Sequence, residues 1–386
     1  MKDKKNKVML MHNVIAPYRL PLFSEVAKSY NLSVVFYNND AEGRKWDASI
    51  NQSGFNYKFL KHIKLVSFVL NFDLSRYLLK NKSDLYVIID NEENILSNLC
   101  VVLTAKLRQK PYILWSGHIP IEGGTIHPMD FHDGLMHQWP IKHVYSFFIQ
   151  HINRILYKNA ASLLAYSEIS KRYLIQNGAD PKVIFVGTQA MSISLLPEAS
   201  KSIKLDHKKL QLLYLGYLRP EKGTSTLVEA VLALPASKVQ LHIVGDGPEK
   251  ATLKKLAGST SSVQFHSYAT GKERANWYSS VDALVLPTFF DPWAHVVTES
   301  LYYGTPVIVS SSAGASAIID NGKNGFVIKA GDKKGLIKVL DSLSVNKIVA
   351  MKKFIHDSDY ARLYDVAADA RNFNKAIEKA LNDKQN

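Results

Sequence analysis

Short, continuous apolar runs alternate with helical patterns along most of this chain. A run that is apolar at every position predicts a strand covered on both faces, which is typical of a parallel sheet wrapped by helices. In the first half such runs occur near residues 7–12, 32–38, 57–61, 84–90, 112–117, 162–167 and 183–187. The alternation restarts near residue 207, with strand signals at QLLYLGYL, VQLHIVGDG, VQFHSYA, ALVLPT, TPVIVSS and GFVIK.

The restart predicts two α/β domains, each a doubly wound, Rossmann-like unit. A chain of 386 residues is also too long for one ordinary core. We expect the first domain over 1–196, the second over 207–365, and a helix over 366–386 that packs back toward the first, with the mixed segment 191–210 as the linker. Two such domains that face each other leave a cleft at the carboxyl ends of both sheets, where ligands of these folds bind.

The charge balance limits the classes of partner. The sequence has 48 Lys and Arg against 34 Asp and Glu, a net charge of +14. This excess favours an anionic partner such as a phosphorylated substrate or an anionic membrane, and no binding module supports a nucleic-acid partner. The basic N-terminus does not resemble a signal peptide, and no run reaches about 18 apolar residues. We therefore expect a cytoplasmic protein, or one peripheral on the inner face of the cell membrane.

The cysteine and the histidines do not indicate a metal site. Cys100 is the only cysteine, and its apolar surroundings predict a buried thiol. Several histidines lie between His118 and His151, but their spacing matches no standard zinc pattern. We predict no bound metal.

Two stretches of the second half predict an anion site. The first, YLGYLRPEKGTSTLVEAV (214–231), is a strand, a turn and a helix, and its turn contains Gly216, Arg219 and Lys222. Glycines allow close approach of the backbone, cations neutralise phosphate oxygens, and helix N-termini offer free N–H groups. A plain βα turn with surface cations would look the same.

The second stretch, FFDPWAHVVTES (289–300), sets Asp291 and Glu299 on either side of a helix start. The N–H groups of Ala294, His295 and Val296 would then be available to a phosphate or a hydroxyl. Two carboxylates beside these donors suit a ligand rich in hydroxyl groups. The alternative is an ordinary helix that begins with one acid and carries another two turns later.

These motifs, followed by GTPVI and NGFVI, resemble the C-terminal half of the family-four retaining glycosyltransferases of the GT-B fold. The resemblance covers about 214–328, and the first half matches more loosely through APYRLPLF, YILWSGH and Ser167. It implies the GT-B fold, with two Rossmann-like domains facing each other across a cleft. It also implies a nucleotide-sugar donor in the second domain and an acceptor held mainly by the first.

The resemblance also implies roles for single residues. Glu299 would hold the ribose, Asp291 the donor sugar and Lys222 the diphosphate. The backbone from Ala294 to Val296 would contact sugar and phosphate. The other implied site residues are Gly216 and Arg219 in the donor turn, Tyr268 near the base, and His118 near the reacting sugar.

Three positions depart from the family pattern. Tyr217 stands where the family has an arginine, so Arg219 is the candidate for that charge. Asp291 replaces a glutamate and is one methylene shorter. The usual glycine loop near the N-terminus is replaced by NVIAPYR, which leaves Arg19 as a candidate phosphate contact.

The expected activity is metal-independent transfer of a sugar, with retention, from a nucleotide-diphosphate sugar to a saccharide. A UDP-sugar is the first candidate donor, and no cofactor is expected. By resemblance, the acceptor is lipid-linked and part of cell-surface polysaccharide or glycan assembly. The alternatives are a sugar-nucleotide-binding protein without transfer, an epimerase-like relative, and hydrolase chemistry by a carboxylate pair.

The segment 137–159 mixes aromatic and aliphatic residues with Lys, Arg and His. It is typical of an amphipathic helix on an anionic membrane surface. A helix whose apolar stripe faces the domain core would give the same pattern.

Overall fold

The computed structural model describes residues 5–39, 54–65, 68–120, 141–187, 189–206, 208–358, 360 and 365–383. These residues form two compact units. The first contains the described residues up to His118, those from 141 to Ser192 and the C-terminal helix. The second contains Ile119, Pro120 and the described residues from Ile193 to 360.

The first unit is built on a seven-stranded parallel sheet in the order β3-β2-β1-β6-β7-β8-β9. Its central strands are buried along their whole length, as their unbroken apolar runs predict. A separate antiparallel hairpin, β4-β5, has no counterpart in the sequence predictions. The strands are β1 Lys7–His12, β2 Asn31–Phe36, β3 Asn56–Phe59, β4 His62–Leu65, β5 Phe68–Asn71, β6 Leu85–Ile89, β7 Tyr112–Ser116, β8 Ser162–Ala165 and β9 Ile184–Val186.

Helices cover both faces of this sheet. Helices α2, α3, α4 and α5 supply side chains to the core on one face, whereas α1 and α12 pack on the other. The C-terminal helix α12 buries a stripe that includes Phe373 and Ile377, and the Asp365 side chain caps its first turn. The helices are α1 Leu20–Ser29, α2 Leu74–Lys80, α3 Ile95–Leu107, α4 Ile141–Asn159, α5 Glu168–Gln176 and α12 Val366–Asn382.

The second unit repeats the architecture with a six-stranded parallel sheet in the order β12-β11-β10-β13-β14-β15. Its strands are β10 Leu210–Leu215, β11 Val239–Val244, β12 Val263–His266, β13 Ala283–Leu286, β14 Val307–Ser310 and β15 Gly325–Ile328. Its helices are α6 Thr224–Leu232, α7 Lys250–Ala257, α8 Gly271–Ser280, α9 His295–Tyr302, α10 Lys333–Ser342 and α11 Val345–Asp357. The doubly wound α/β prediction is confirmed for each unit.

One local expectation is wrong, and the linker is more structured than its sequence indicates. Cys100 is only partly buried: it packs at the edge of the core, with its sulfur 3.6 Å from the Ser75 hydroxyl of α2. The segment expected to be a linker lies against the second unit. There Ser200 N–H donates to Asn276 Oδ1 at 2.9 Å and Ile203 N–H to Ser280 Oγ at 2.9 Å.

Candidate functional site

The turn between β10 and α6 positions Lys222. Gly223 follows it with φ of +65°, a left-handed conformation that favours glycine. A Cβ on Gly223 would lie 2.3 Å from the carbonyl oxygen of Pro287, just after β13. The missing side chain therefore lets the turn pack directly on the segment that leads to Asp291. Gly216, at the start of the turn, donates its N–H to Val244 O at 3.1 Å.

Lys222 and Asp291 form an ion pair with Nζ 2.7 Å from Oδ2. Oδ1 of Asp291 accepts from the Trp293 N–H at 3.2 Å. Burial opposes ionisation of Asp291, but the charge and hydrogen bond of Lys222 outweigh it and hold the pKa of the carboxyl below its ordinary value. Asp291 is therefore ionised at neutral pH and Lys222 stays beside it.

The helix expected near Ala294 begins at His295. Ala294 caps it in the left-handed region with φ of +74°, and its side chain is buried. The first N–H groups of any helix have no partner inside the helix. The N–H groups of His295 and Val296 thus lie at the start of α9, beside the segment that carries Asp291.

A small-residue loop after β14 supports the segment from Asp291 to Trp293. Asp291 N–H donates to Ser312 O at 3.0 Å, and Gly314 N–H donates back to Asp291 O at 2.9 Å. Ala315 N–H donates to Trp293 O at 2.7 Å. A Cβ on Gly314 would lie 2.1 Å from Pro292 O, so the contact requires glycine. The loop fixes the backbone that carries Asp291.

Glu299 is buried on α9 against helix α8. Its Oε2 accepts from the Tyr278 hydroxyl at 2.8 Å and lies 3.4 Å from Nε of Arg274. Burial raises the pKa of Glu299, and Arg274 and Tyr278 oppose that rise. Tyr268, which follows β12, acts electrostatically on the same arginine and is partly exposed.

Arg219 lies next to the position where the family pattern departs. Its guanidinium is 4.9 Å from the ring centroid of Tyr217 and 3.9 Å from Oε1 of Glu221. A cation over an aromatic face is held there by the ring quadrupole. The aromatic replacement at Tyr217 thus holds a cation in the same turn as Lys222.

In the first unit, His118 follows β7 and pairs with Asp90, which follows β6. His118 Nε2 lies 3.5 Å from Asp90 Oδ1, and the imidazole stacks on Tyr173 with a centroid distance of 5.5 Å. Burial disfavours the charged ring, but the Asp90 carboxylate raises the pKa of His118 to about 9. His118 is therefore charged at neutral pH.

Arg19 is a buried residue, with 3% of its surface exposed. Its Nη2 donates to Gln189 Oε1 at 2.8 Å, and its guanidinium lies 4.5 Å from the Trp115 ring centroid and 4.9 Å from that of Tyr166. These contacts connect the loop after β1 to the segment after β9. A phosphate would have to displace them to reach the guanidinium.

The remaining histidines provide no cluster that could hold a metal within the described residues. Of the histidines between His118 and His151, His127, His132 and His137 lie outside the described residues, as does the His143 side chain. No helix among the described residues is long and apolar enough to cross a bilayer.

Several residues of the site were missed by the sequence analysis. Arg274 and Tyr278 lie four residues apart on α8, a spacing that places both on one helix face, yet nothing in the sequence shows that this face meets Glu299. Asp90 ends the run DLYVIID, and a carboxylate at the carboxyl end of a buried strand could have been recognised as a candidate site residue.

Residues 197–358 match the family model described as glycosyl transferases group 1. The chain is 24% identical over 253 residues to an uncharacterized glycosyltransferase of Methanocaldococcus jannaschii, covering 61% of this chain and 63% of the relative. It is 32% identical over 132 residues to the lipopolysaccharide core biosynthesis glycosyltransferase LpsE of Rhizobium meliloti, covering 33% of this chain and 38% of LpsE. The chain thus spans less than two thirds of the length of either relative.

Among solved structures, the chain is similar to Anabaena HepE in complex with UDP and glucose. The TM-score is 0.68 at 15% identity, and the match covers 97% of this chain and 99% of HepE. At this identity the likeness concerns the fold, which is the two-domain GT-B fold with Rossmann-like domains. The resemblance to family-four glycosyltransferases is confirmed.

Proposed function

Because residues 197–358 belong to the glycosyl transferases group 1 family, we propose that this chain transfers a sugar from a nucleotide-diphosphate sugar to a saccharide acceptor, with retention at the anomeric carbon. The observation that carries the proposal is the Lys222–Asp291 pair beside the start of α9. It combines a cation for phosphate oxygens with a carboxylate for sugar hydroxyls.

In this proposal the donor lies along the second unit. The diphosphate takes the N–H groups at the start of α9 and the charge of Lys222, with Arg219 beside it. Asp291 accepts from hydroxyls of the donor sugar, and Glu299, with Arg274 and Tyr278 holding its carboxylate, accepts from the ribose. A UDP-sugar is our first candidate donor, in line with the UDP and glucose named for HepE.

The chemistry follows from where charge develops. As the bond between the anomeric carbon and the phosphate oxygen breaks, negative charge grows on the diphosphate, and Lys222 with the N–H groups of α9 stabilises it. The acceptor oxygen forms the new bond on the same face, and its proton passes to an oxygen of the leaving phosphate. These groups supply the positive charge without a metal ion, so we expect transfer to persist in EDTA.

A donor screen tests the proposal. A nucleotide sugar that binds the native state raises the unfolding midpoint by mass action, and incubation with saccharide acceptors then yields a product whose anomeric configuration is read by NMR. Retention of the donor configuration is expected. Nucleotide release that does not rise with any acceptor would favour a binding protein, and altered sugar without transfer would favour the epimerase-like alternative.

We also propose that the acceptor is lipid-linked and that the first unit binds an anionic membrane surface through α4. LpsE acts in lipopolysaccharide core biosynthesis by its name. Phe147 and Phe148 on α4 are 68% and 59% exposed, and Arg154 and Lys158 are exposed on the same helix. Because the opposite side of α4 contributes Leu156 and other side chains to the core, the helix is apolar on both faces.

Liposome flotation tests the membrane proposal. The wild-type chain is expected to float with anionic vesicles at low salt, and a Phe147→Ser/Phe148→Ser variant is expected to remain in the soluble fraction. Val345→Ser/Val349→Ser is the matched control, because both valines are exposed on α11 of the second unit. Equal flotation of all three proteins, or of none, would refute the role of α4.

A further inference from the structure

Asp90 is the centre of a buried hydrogen-bond network in the first unit. Its side chain is 3% exposed. Its Oδ2 accepts from the hydroxyls of Ser116 and Tyr157, both at 2.7 Å. Burial raises the pKa of Asp90, but the charge of His118 and these donors outweigh burial and hold it below the ordinary value. The carboxylate is thus ionised and its oxygens are occupied from inside the protein.

The same network fixes the imidazole of His118. Its Nε2 edge faces Asp90, its ring stacks on Tyr173, and its backbone N–H donates to the Ser116 hydroxyl at 3.2 Å. The His118 side chain is 18% exposed. Within the described residues Nδ1 has no hydrogen-bond partner, so it is the ring nitrogen available to a ligand.

Resting on the proposed function, we propose that Asp90 is a positioning residue that holds His118 as an imidazolium. His118 then meets the substrate through Nδ1–H as a hydrogen-bond donor to a phosphate or hydroxyl oxygen, and not as a base. None of the described titratable groups around the pair opposes the charge on His118. Glu92, before α3, adds to the attraction, and Tyr157 and Tyr173 stay neutral because burial raises their pKa values.

An imidazole that carries both ring protons at neutral pH cannot take the proton of the acceptor hydroxyl. That proton must leave by another group, which agrees with its transfer to the leaving phosphate oxygen. In the first unit His118 instead supplies positive charge, as Lys222 does in the second unit.

Ring ¹⁵N NMR of the full chain tests the charge without any assay of activity. The His118 resonances, assigned with His118→Gln, are expected to show both nitrogens protonated up to about pH 8. In Asp90→Asn they are expected to titrate below the ordinary histidine value of about 6.5, because burial then acts without the opposing carboxylate. A wild-type His118 that titrates near pH 6.5 would overturn the inference. This reading stands even if no donor supports transfer, so it separates the inference from the proposed function.

The pH dependence of kcat/KM tests the role. In Asp90→Asn, kcat/KM is expected to fall as the imidazole loses its proton, to about 100-fold or more below the low-pH plateau at pH 8.5. The wild type and Asp90→Glu are expected to show no such fall between pH 6.5 and 8. If Asp90 had a purely structural role, the kcat/KM of Asp90→Asn would be lowered by the same factor at every pH. That result would refute the role of Asp90 as a positioning residue. If Asp90→Asn does not fold, the ring ¹⁵N titration of His118 in the wild-type chain decides the charge on its own.

Discussion

The Lys222–Asp291 pair of the second unit and the Asp90–His118 pair of the first both lie near the carboxyl ends of parallel strands, and they differ in which partner is accessible. In the second unit, the Lys222 and Asp291 side chains are 23% and 19% exposed. In the first unit, Asp90 is enclosed and only the imidazole of His118 reaches the surface. The second pair can therefore offer both a cation and a carboxylate to a ligand, whereas the first offers only a cation.

The largest expected effect concerns the residues of the second unit to which donor contacts are assigned. Lys222→Ala removes the charge assigned to the leaving diphosphate, and Glu299→Ala removes the ribose ligand. Each is expected to lower kcat/KM by about 100-fold or more, the scale of losing one critical electrostatic contact. Lys333→Ala is the matched control, because Lys333 forms an exposed ion pair with Glu229 in the same unit at 2.9 Å. Full activity in both site variants would rule out the donor assignment.

The contrast between the pairs also explains how much could be predicted. The second unit carries its chemistry in contiguous segments, so that Asp291 and Glu299 stand within one short stretch and Lys222 lies in a strand-turn-helix motif. Asp90 and His118 come from different strands, and only the order of strands in the sheet brings them together. The alternation of continuous apolar runs with helical patterns predicted both sheets. Side-chain pairing between separate elements, in contrast, is decided by tertiary packing.

The same limit applies to smaller features. Burial of Cys100 was predicted from apolar neighbours, yet α3 exposes Leu103 and Leu107 on its outer side and the cysteine lies only partly inside. The contact between Arg274 and Glu299 joins two helices, and the sequence of neither helix alone predicts it. Local sequence thus indicates which residues are available, and the packing of α8 on α9 decides which of them meet.

A second comparison concerns two buried tyrosines, each of which donates to one carboxylate. Tyr157 donates to Asp90 at 2.7 Å, and Tyr278 donates to Glu299 at 2.8 Å. Tyr278→Phe is expected to destabilise the second unit by about 3 kcal/mol, because Glu299 then retains only Arg274. Tyr157→Phe is expected to cost about 1.5 kcal/mol, because Asp90 retains Ser116 and His118.

Hydrogen exchange read separately for peptides of each unit measures both costs, since two units need not unfold together. Wild-type protein and Tyr57→Phe, an exposed tyrosine on β3, are the references. A larger cost for Tyr157→Phe than for Tyr278→Phe would contradict the view that Asp90 is the better satisfied carboxylate.

His118 in the first unit and His242 in the second predict opposite responses to pH. Gln211 donates its amide to the carbonyls of Asp206 and Lys209, so its Oε1 must accept from His242 Nε2–H, 2.8 Å away. In the neutral ring His242 Nδ1 is then an acceptor, and it accepts a hydrogen bond from His266 Nε2–H at 3.1 Å. Protonation of His242 would place an N–H at Nδ1 opposite the Nε2–H of His266, so that the hydrogen bond between the two rings would be lost. Burial and His266 together lower the pKa of His242 to about 4.

The signs of the two effects follow from linkage. A histidine pKa below the unfolded value of about 6.5 gives stability that is full above pH 6.5 and is lost as the pH falls toward 4. We expect the free energy of unfolding of the second unit to fall by about 2 kcal/mol over this range. In His242→Gln this acid limb of the stability profile, that is, of the free energy of unfolding plotted against pH, should be flatter. His118, whose pKa is about 9, gives stability that is full below pH 6.5 and is lost as the pH rises through 9. His118→Gln should therefore flatten only the alkaline limb of the first unit's stability profile. A change in the acid limb of the second unit's profile would contradict the separation of the two sites.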